Sequence, residues 1–168
     1  MKKYITLALL LISLSLYAEV RYVSKTGSST APYTTWATAC DSLQKCFDYC
    51  DNGDTIYVDR GIYREIIRLN NRVLTIIGID ADECVIDGTG KSDNDGIHVL
   101  FWQKKGKIEV NNLMMKRKKG VDETYSYVYY THYGELYISN CIIDTTNEGV
   151  IGNGPTTIDK CIIKNAVY

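Results

Sequence analysis

The residues best suited to chemistry lie between positions 93 and 129. Asp93-Asn94-Asp95-Gly96-Ile97-His98 sets two carboxylates two residues apart, with an imidazole three residues beyond the second. Paired carboxylates can share general-acid and water-activating work on a glycosidic bond. Asp93 and Asp95 are also the candidates for a calcium site, but six or more oxygen ligands cannot be assembled around them, so no cofactor is expected. The same residue types are ordinary turn formers leading into a strand. Further on, Lys104, Lys105, Lys107, Lys116, Arg117, Lys118 and Lys119 stand against one acid, Glu109. Gathered on one side they would hold an anionic polysaccharide such as a uronate, although charge runs are more often solvated turns. Tyr125, Tyr127 and Tyr129 alternate with Ser126 and Val128, and strand period puts the three rings on one face. Each ring has an apolar body and a polar tip suited to a sugar face, or equally to an aromatic stack beside the core. Tyr125, Tyr127, Tyr129, Lys116, Arg117, Lys118 and Lys119 are therefore the candidate carbohydrate-binding residues. No catalytic set is legible.

Something must hold these groups in place, and the pattern of apolar residues says what. Ile108–Met115, Leu136–Ile143 and Thr156–Ile163 align without gaps. Val110, Ile138 and Ile158 correspond, as do Leu113, Cys141 and Cys161, and a looser copy runs from Leu74 through Gly88. A repeat of about 20–28 residues, built as strand, polar kink, strand, cannot bury its own apolar face. Such units stack and share a core. Leucine-rich repeats would need several Leu at fixed offsets, and propeller blades about 40 residues each. Parallel coils fit best, with right-handed crossovers by the strand-twist argument. Ahead of the repeats, Glu19–Ser24 reads as a strand. Trp36, Ala39, Cys40, Leu43, Cys46, Phe47 and Cys50 then recur at helical spacing. That spacing predicts an amphipathic helix over Trp36–Cys50, started by Thr34 or Thr35 and stopped at Asn52-Gly53, which would plug the open end of the first coil.

The bulk figures bound the rest. A chain of 168 residues holds one modest domain, and 19 basic against 20 acidic side chains give no reason to expect nucleic acid. Lys2 and Lys3, the uncharged run Tyr4–Leu16 and Ala18 before Glu19 read as a signal peptide over residues 1–18. The apolar run is short for a membrane span, so no span is expected after cleavage, and the destination is the medium or the cell surface. Six cysteines in an exported chain raise the question of disulfides. Cys46 and Cys50 are four apart on a helix, too distant for a relaxed bridge. Cys141 and Cys161 occupy equivalent repeat positions and can stack as small core residues. Buried thiols are the expected state, with pairing among Cys40, Cys50 and Cys84 left open.

Tyr22-Val-Ser-Lys-Thr-Gly, the helix after it, and Gly53-Asp-Thr-Ile-Tyr-Val-x-x-Gly-x-Tyr-x-Glu65 together resemble the N-terminal start of pectin-lyase-like right-handed parallel β-helix proteins. Val85-Ile-Asp-Gly-Thr-Gly90 and Asp95-Gly-Ile-His-Val99 are similar to their early-coil phrases. The resemblance implies an all-β solenoid with a capping α-helix. Residues 19–53 would be the cap and 54–168 the coils, C-terminally incomplete and open to end-to-end self-association. The family's members include polysaccharide-cleaving enzymes and surface adhesins, and with no acid/base set legible here the expectation is an exported segment that binds extracellular polysaccharide in an adhesive or structural role without its own catalytic site. The alternative is the N-terminal part of a polysaccharide lyase or glycoside hydrolase. Polygalacturonase members carry an Asn-x-Asp-Gly phrase; Asp93–Gly96 resembles it with Asp at the Asn position, and the second acidic pair, the Gly-His-Gly phrase and the basic substrate-binding phrase are lacking.

Overall fold

The computed structural model describes residues 18–69, 71–91, 99–117, 127–131, 133–145 and 149–165. The described residues form fifteen short strands and a helix: β1 (Val20–Val23), α1 (Leu43–Tyr49), β2 (Thr55–Val58), β3 (Gly61–Tyr63), β4 (Ile67–Arg68), β5 (Val73–Gly78), β6 (Cys84–Asp87), β7 (Val99–Gln103), β8 (Lys107–Asn111), β9 (Met114–Arg117), β10 (Tyr127–Thr131), β11 (Glu135–Ser139), β12 (Ile142–Thr145), β13 (Val150–Gly152), β14 (Thr156–Asp159) and β15 (Ile162–Lys164). The fold is predominantly β.

The strands form three sheets, and the pairings between them are all parallel. One sheet runs β1-β2-β5-β8-β11-β14, the second β3-β6-β9-β12-β15 and the third β4-β7-β10-β13. From β2 onward the chain deals successive strands to the three sheets in rotation. Parallel neighbours must be joined by long connections; between β1 and β2 the connection holds α1, and after β2 each connection contains the strands of the other two sheets.

The register is the one the sequence repeat implies. Val110 pairs with Ile138 and Ile138 with Ile158, and the ladder extends upstream through Ile76 and Ile56. Ile56, Ile76, Val110 and Ile138 are all buried, as is the ladder Tyr63, Ile86, Met115 and Ile143 of the second sheet. In the third sheet Ile67, Phe101 and Tyr129 are in register and buried. Each such aliphatic side chain contributes roughly 1.5–3 kcal/mol by leaving water. At the kink between the first two sheets, Asn112, Asn140 and Lys160 share positive φ (57°, 52° and 49°) at equivalent positions. Asn tolerates this left-handed conformation better than most residues. It turns the chain so that Leu113, Cys141 and Cys161 follow in line, with Cys141 Sγ directed at the Val110 carbonyl and Cys161 Sγ at that of Ile138.

The helix is shorter than the apolar spacing predicts. Residues 36–38 form turns, Cys40 makes a parallel bridge to Val23, and α1 starts only after Ser42, whose side chain accepts from the Lys45 amide. Thr35 and Thr38 bond to each other through side chain and backbone, closing a separate turn. Trp36 consequently lies 42 % exposed instead of in the core. Leu43, Cys46 and Phe47 do face inward. The six cysteines are free thiols, and Cys40, Cys46, Cys50, Cys84 and Cys141 are buried.

The Gly53–Glu65 phrase is the device that locks this end together. Gly53 adopts φ 97°, which suits glycine alone. Asp54 is wholly buried, ion-paired to Arg21 at 2.8 Å, and accepts from the Glu19 and Asp51 amides. Buried Tyr63 donates to the Asp59 carbonyl. Glu65 accepts from Ser42 Oγ and the Leu43 and Gln44 amides, capping α1 from across the chain.

Candidate binding face

In the six-stranded sheet, alternate residues of each strand point inward, and the others form outward rows across the strands. One row reads Tyr22, Tyr57, Ile77, Asn111, Ser139 and Asp159; a second reads Val20, Thr55, Thr75, Glu109, Tyr137 and Thr157; a shorter third joins Val73, Lys107 and Glu135. A shallow groove of about 380 Å³ follows this face. Thr75 and Ile77 of β5, Glu109 and Asn111 of β8, and Tyr137 and Ser139 of β11 line it. Beyond the groove, at the upstream end of the sheet, three rings are in contact. Tyr22 and Tyr57 stack at 5.9 Å between centroids, and Trp36 meets Tyr22 at 4.5 Å. Lys107 lies 2.7 Å from Glu109 and 4.8 Å above the Tyr137 ring. The hydrogen bond to Glu109 holds its ammonium above the ordinary lysine range. An aliphatic and aromatic floor with a few hydroxyl, amide and carboxylate groups along its sides is the usual composition of a small-molecule or glycan site.

The candidates drawn from the sequence scatter. Tyr129 is buried, its hydroxyl donating to Gln103 Oε1, its ring 6.4 Å from Phe101. Burial pushes its phenol pKa up. Its ring is thus part of the core and is not offered to a ligand. Arg117 is also buried and donates to the Gly88 carbonyl, so it adds nothing to a surface patch. Tyr127 is half-buried. Lys116 sits on the second sheet, 3.8 Å from Asp87, well away from the Lys107 face. Asp87 is held below the ordinary carboxylate range: Thr89 and Lys116 outweigh the burial that opposes them. Tyr125, Lys118, Lys119, Asp93, Asp95 and residues 1–17 lie outside the described residues. Both histidines, His98 and His132, do as well.

Among the described residues no group of three or more His, Cys, Asp or Glu side chains could hold a metal ion. Among the same residues no helix is long and apolar enough to cross a membrane. The ring row Trp36–Tyr22–Tyr57 escaped the sequence reading because its members are far apart along the chain. The signal was present: setting Val20-Arg-Tyr-Val against Thr55-Ile-Tyr-Val aligns Tyr22 with Tyr57. No known protein family, curated protein or solved structure matches the chain.

Proposed function

We propose that the chain is a segment of an exported right-handed parallel β-helix of the pectin-lyase-like kind. In this reading the outward face of its six-stranded sheet binds carbohydrate, as an adhesive or structural surface without a catalytic set of its own. Three parallel sheets visited in rotation support the coil, and strand twist supports its hand. Residues 1–18, with their basic start and apolar run, support export. The observation that carries the binding role is the groove across β5, β8 and β11, with hydroxyl, amide and aromatic groups in register along it. Parallel stacking sets outward side chains in rows at a regular strand spacing, which suits a polymer whose own units repeat.

The test has two parts. Expression from the full gene should place protein beginning at Glu19 outside the cytoplasm. The purified protein should be retained on insoluble polysaccharide without releasing reducing or unsaturated sugars. Cytoplasmic retention with residues 1–18 uncut would overturn export, failure to bind any polysaccharide would overturn the binding role, and sugar release would overturn the non-catalytic reading.

A further inference from the structure

The carbohydrate reading leaves the sugar's chemistry open, and the distribution of charge narrows it. The basic stretch around Lys104–Lys119 suggested an anionic polymer, but three of its described members do not form one patch. Arg117 is buried on Gly88, Lys116 belongs to another sheet beside Asp87, and Lys107 is taken up by Glu109. Across the outward rows of β5, β8 and β11, Lys107 is the cation and Glu109 and Glu135 are the anions. A uronate laid there would meet net like charge, and like charges brought together cost binding. What the face does offer is rings and neutral polar groups: Trp36, Tyr22 and Tyr57, followed by Thr75, Asn111 and Ser139.

Resting on the carbohydrate reading, we propose that this face takes an uncharged pyranose polymer, running along the stacking direction of the sheet, and discriminates against polyuronates. Trp36, Tyr22 and Tyr57 form the apolar platform at the upstream end. Tyr side chains present contact area at low entropic cost because few torsions must be fixed. The hydroxyl and amide groups downstream supply hydrogen bonds to sugar hydroxyls. Trp36 is the exposed member of the ring row, and ring anchors of this kind carry a disproportionate share of binding energy.

Isothermal titration with a soluble uncharged glucan or mannan oligosaccharide, and separately with oligogalacturonate, tests this on the full chain. The uncharged ligand should bind and the uronate should not at matched concentration. Trp36→Ala and Tyr57→Ala should each weaken binding by about tenfold, while Ile62→Ala, at an exposed position on the second sheet, should leave it unchanged. Circular dichroism confirms that each variant is folded. Preference for the uronate would overturn the charge argument. Uncharged-sugar binding untouched by Trp36→Ala and Tyr57→Ala would overturn the platform while leaving carbohydrate binding intact. Binding of neither ligand would overturn the proposal together with the reading it rests on.

Discussion

Replacing Asp54 with Ala removes one carboxylate and leaves several groups without it. Arg21 is 4 % exposed and its Nε donates to Asp54 Oδ2 at 2.8 Å. Asp54 also receives the Glu19 amide at 2.7 Å and the Asp51 amide at 2.9 Å. Breaking a buried pair by deleting one partner costs about 3–5 kcal/mol, because the remaining charge stays desolvated. Arg21 keeps the Pro32 carbonyl at 2.7 Å and a contact to half-exposed Glu19 at 2.9 Å. Those contacts argue for the lower end, about 3 kcal/mol, which is a large fraction of a typical domain's total stability. Urea unfolding followed by circular dichroism should show a lower midpoint with an unchanged slope. A double variant, Arg21→Met with Asp54→Leu, removes both charges and should recover much of the loss. A cost below about 1 kcal/mol for Asp54→Ala would refute the reasoning, as would a double variant no more stable than the single one.

Other expectations follow from the same geometry. Glu65→Gln keeps the shape but weakens charge-assisted bonds to Ser42, Leu43 and Gln44, and should cost roughly 1–2 kcal/mol in thermal unfolding. Gly106 has φ 112°, and a Cβ there would lie 2.2 Å from the Arg72 carbonyl oxygen. Gly106→Ala should therefore cost at least about 1–3 kcal/mol in urea, more than an ordinary surface change. Burial pushes the Cys141 thiol up to about 11 from its ordinary 9.0. Because the folded value is raised, its contribution is fully present below pH 9.0 and is lost as pH climbs through about 11. The unfolding midpoint should fall over that window, and Cys141→Val should flatten part of the fall. At pH 8 Cys141 should resist iodoacetamide in the native protein and react readily in urea.

Much of the fold was legible because its core residues obey a simple rule. The gapless alignment of Val110 with Ile138 and Ile158 is the observed ladder. The Asn-apolar kink at Asn112 and Asn140 is where φ turns positive. The Gly53–Glu65 phrase reads as one line of sequence, and its Asp54 and Glu65 prove to tie β1 and α1 to the first coil strands. The helix boundary was misread because three-residue turns and a helix share their early spacing. Trp36 and Ala39 fit both, and the decision rests on local bonds between Thr35 and Thr38 and on the Cys40–Val23 bridge. The candidate site was hardest to see. Tyr129 and Tyr127 look like a surface row when only strand alternation is considered, yet Tyr129 packs on Phe101 across a register that joins residues 28 apart. Arg117 looks like part of a charge run, and only the fold shows its stem carried inward to Gly88. Conversely, Tyr22, Trp36 and Tyr57 meet through a parallel pairing that no local window contains.

The central claim is that the outward face beginning at Trp36 is a sugar-binding surface. Its most direct measurement is tryptophan fluorescence in a Trp102→Phe variant, where Trp36 is the sole tryptophan, during titration with an uncharged oligosaccharide. Sugar seated on the ring row should shift and saturate the emission of a residue now 42 % exposed, and Tyr57→Ala should displace the curve to higher concentration. Emission that stays flat while the same sugar binds by calorimetry would place the site elsewhere and contradict the account.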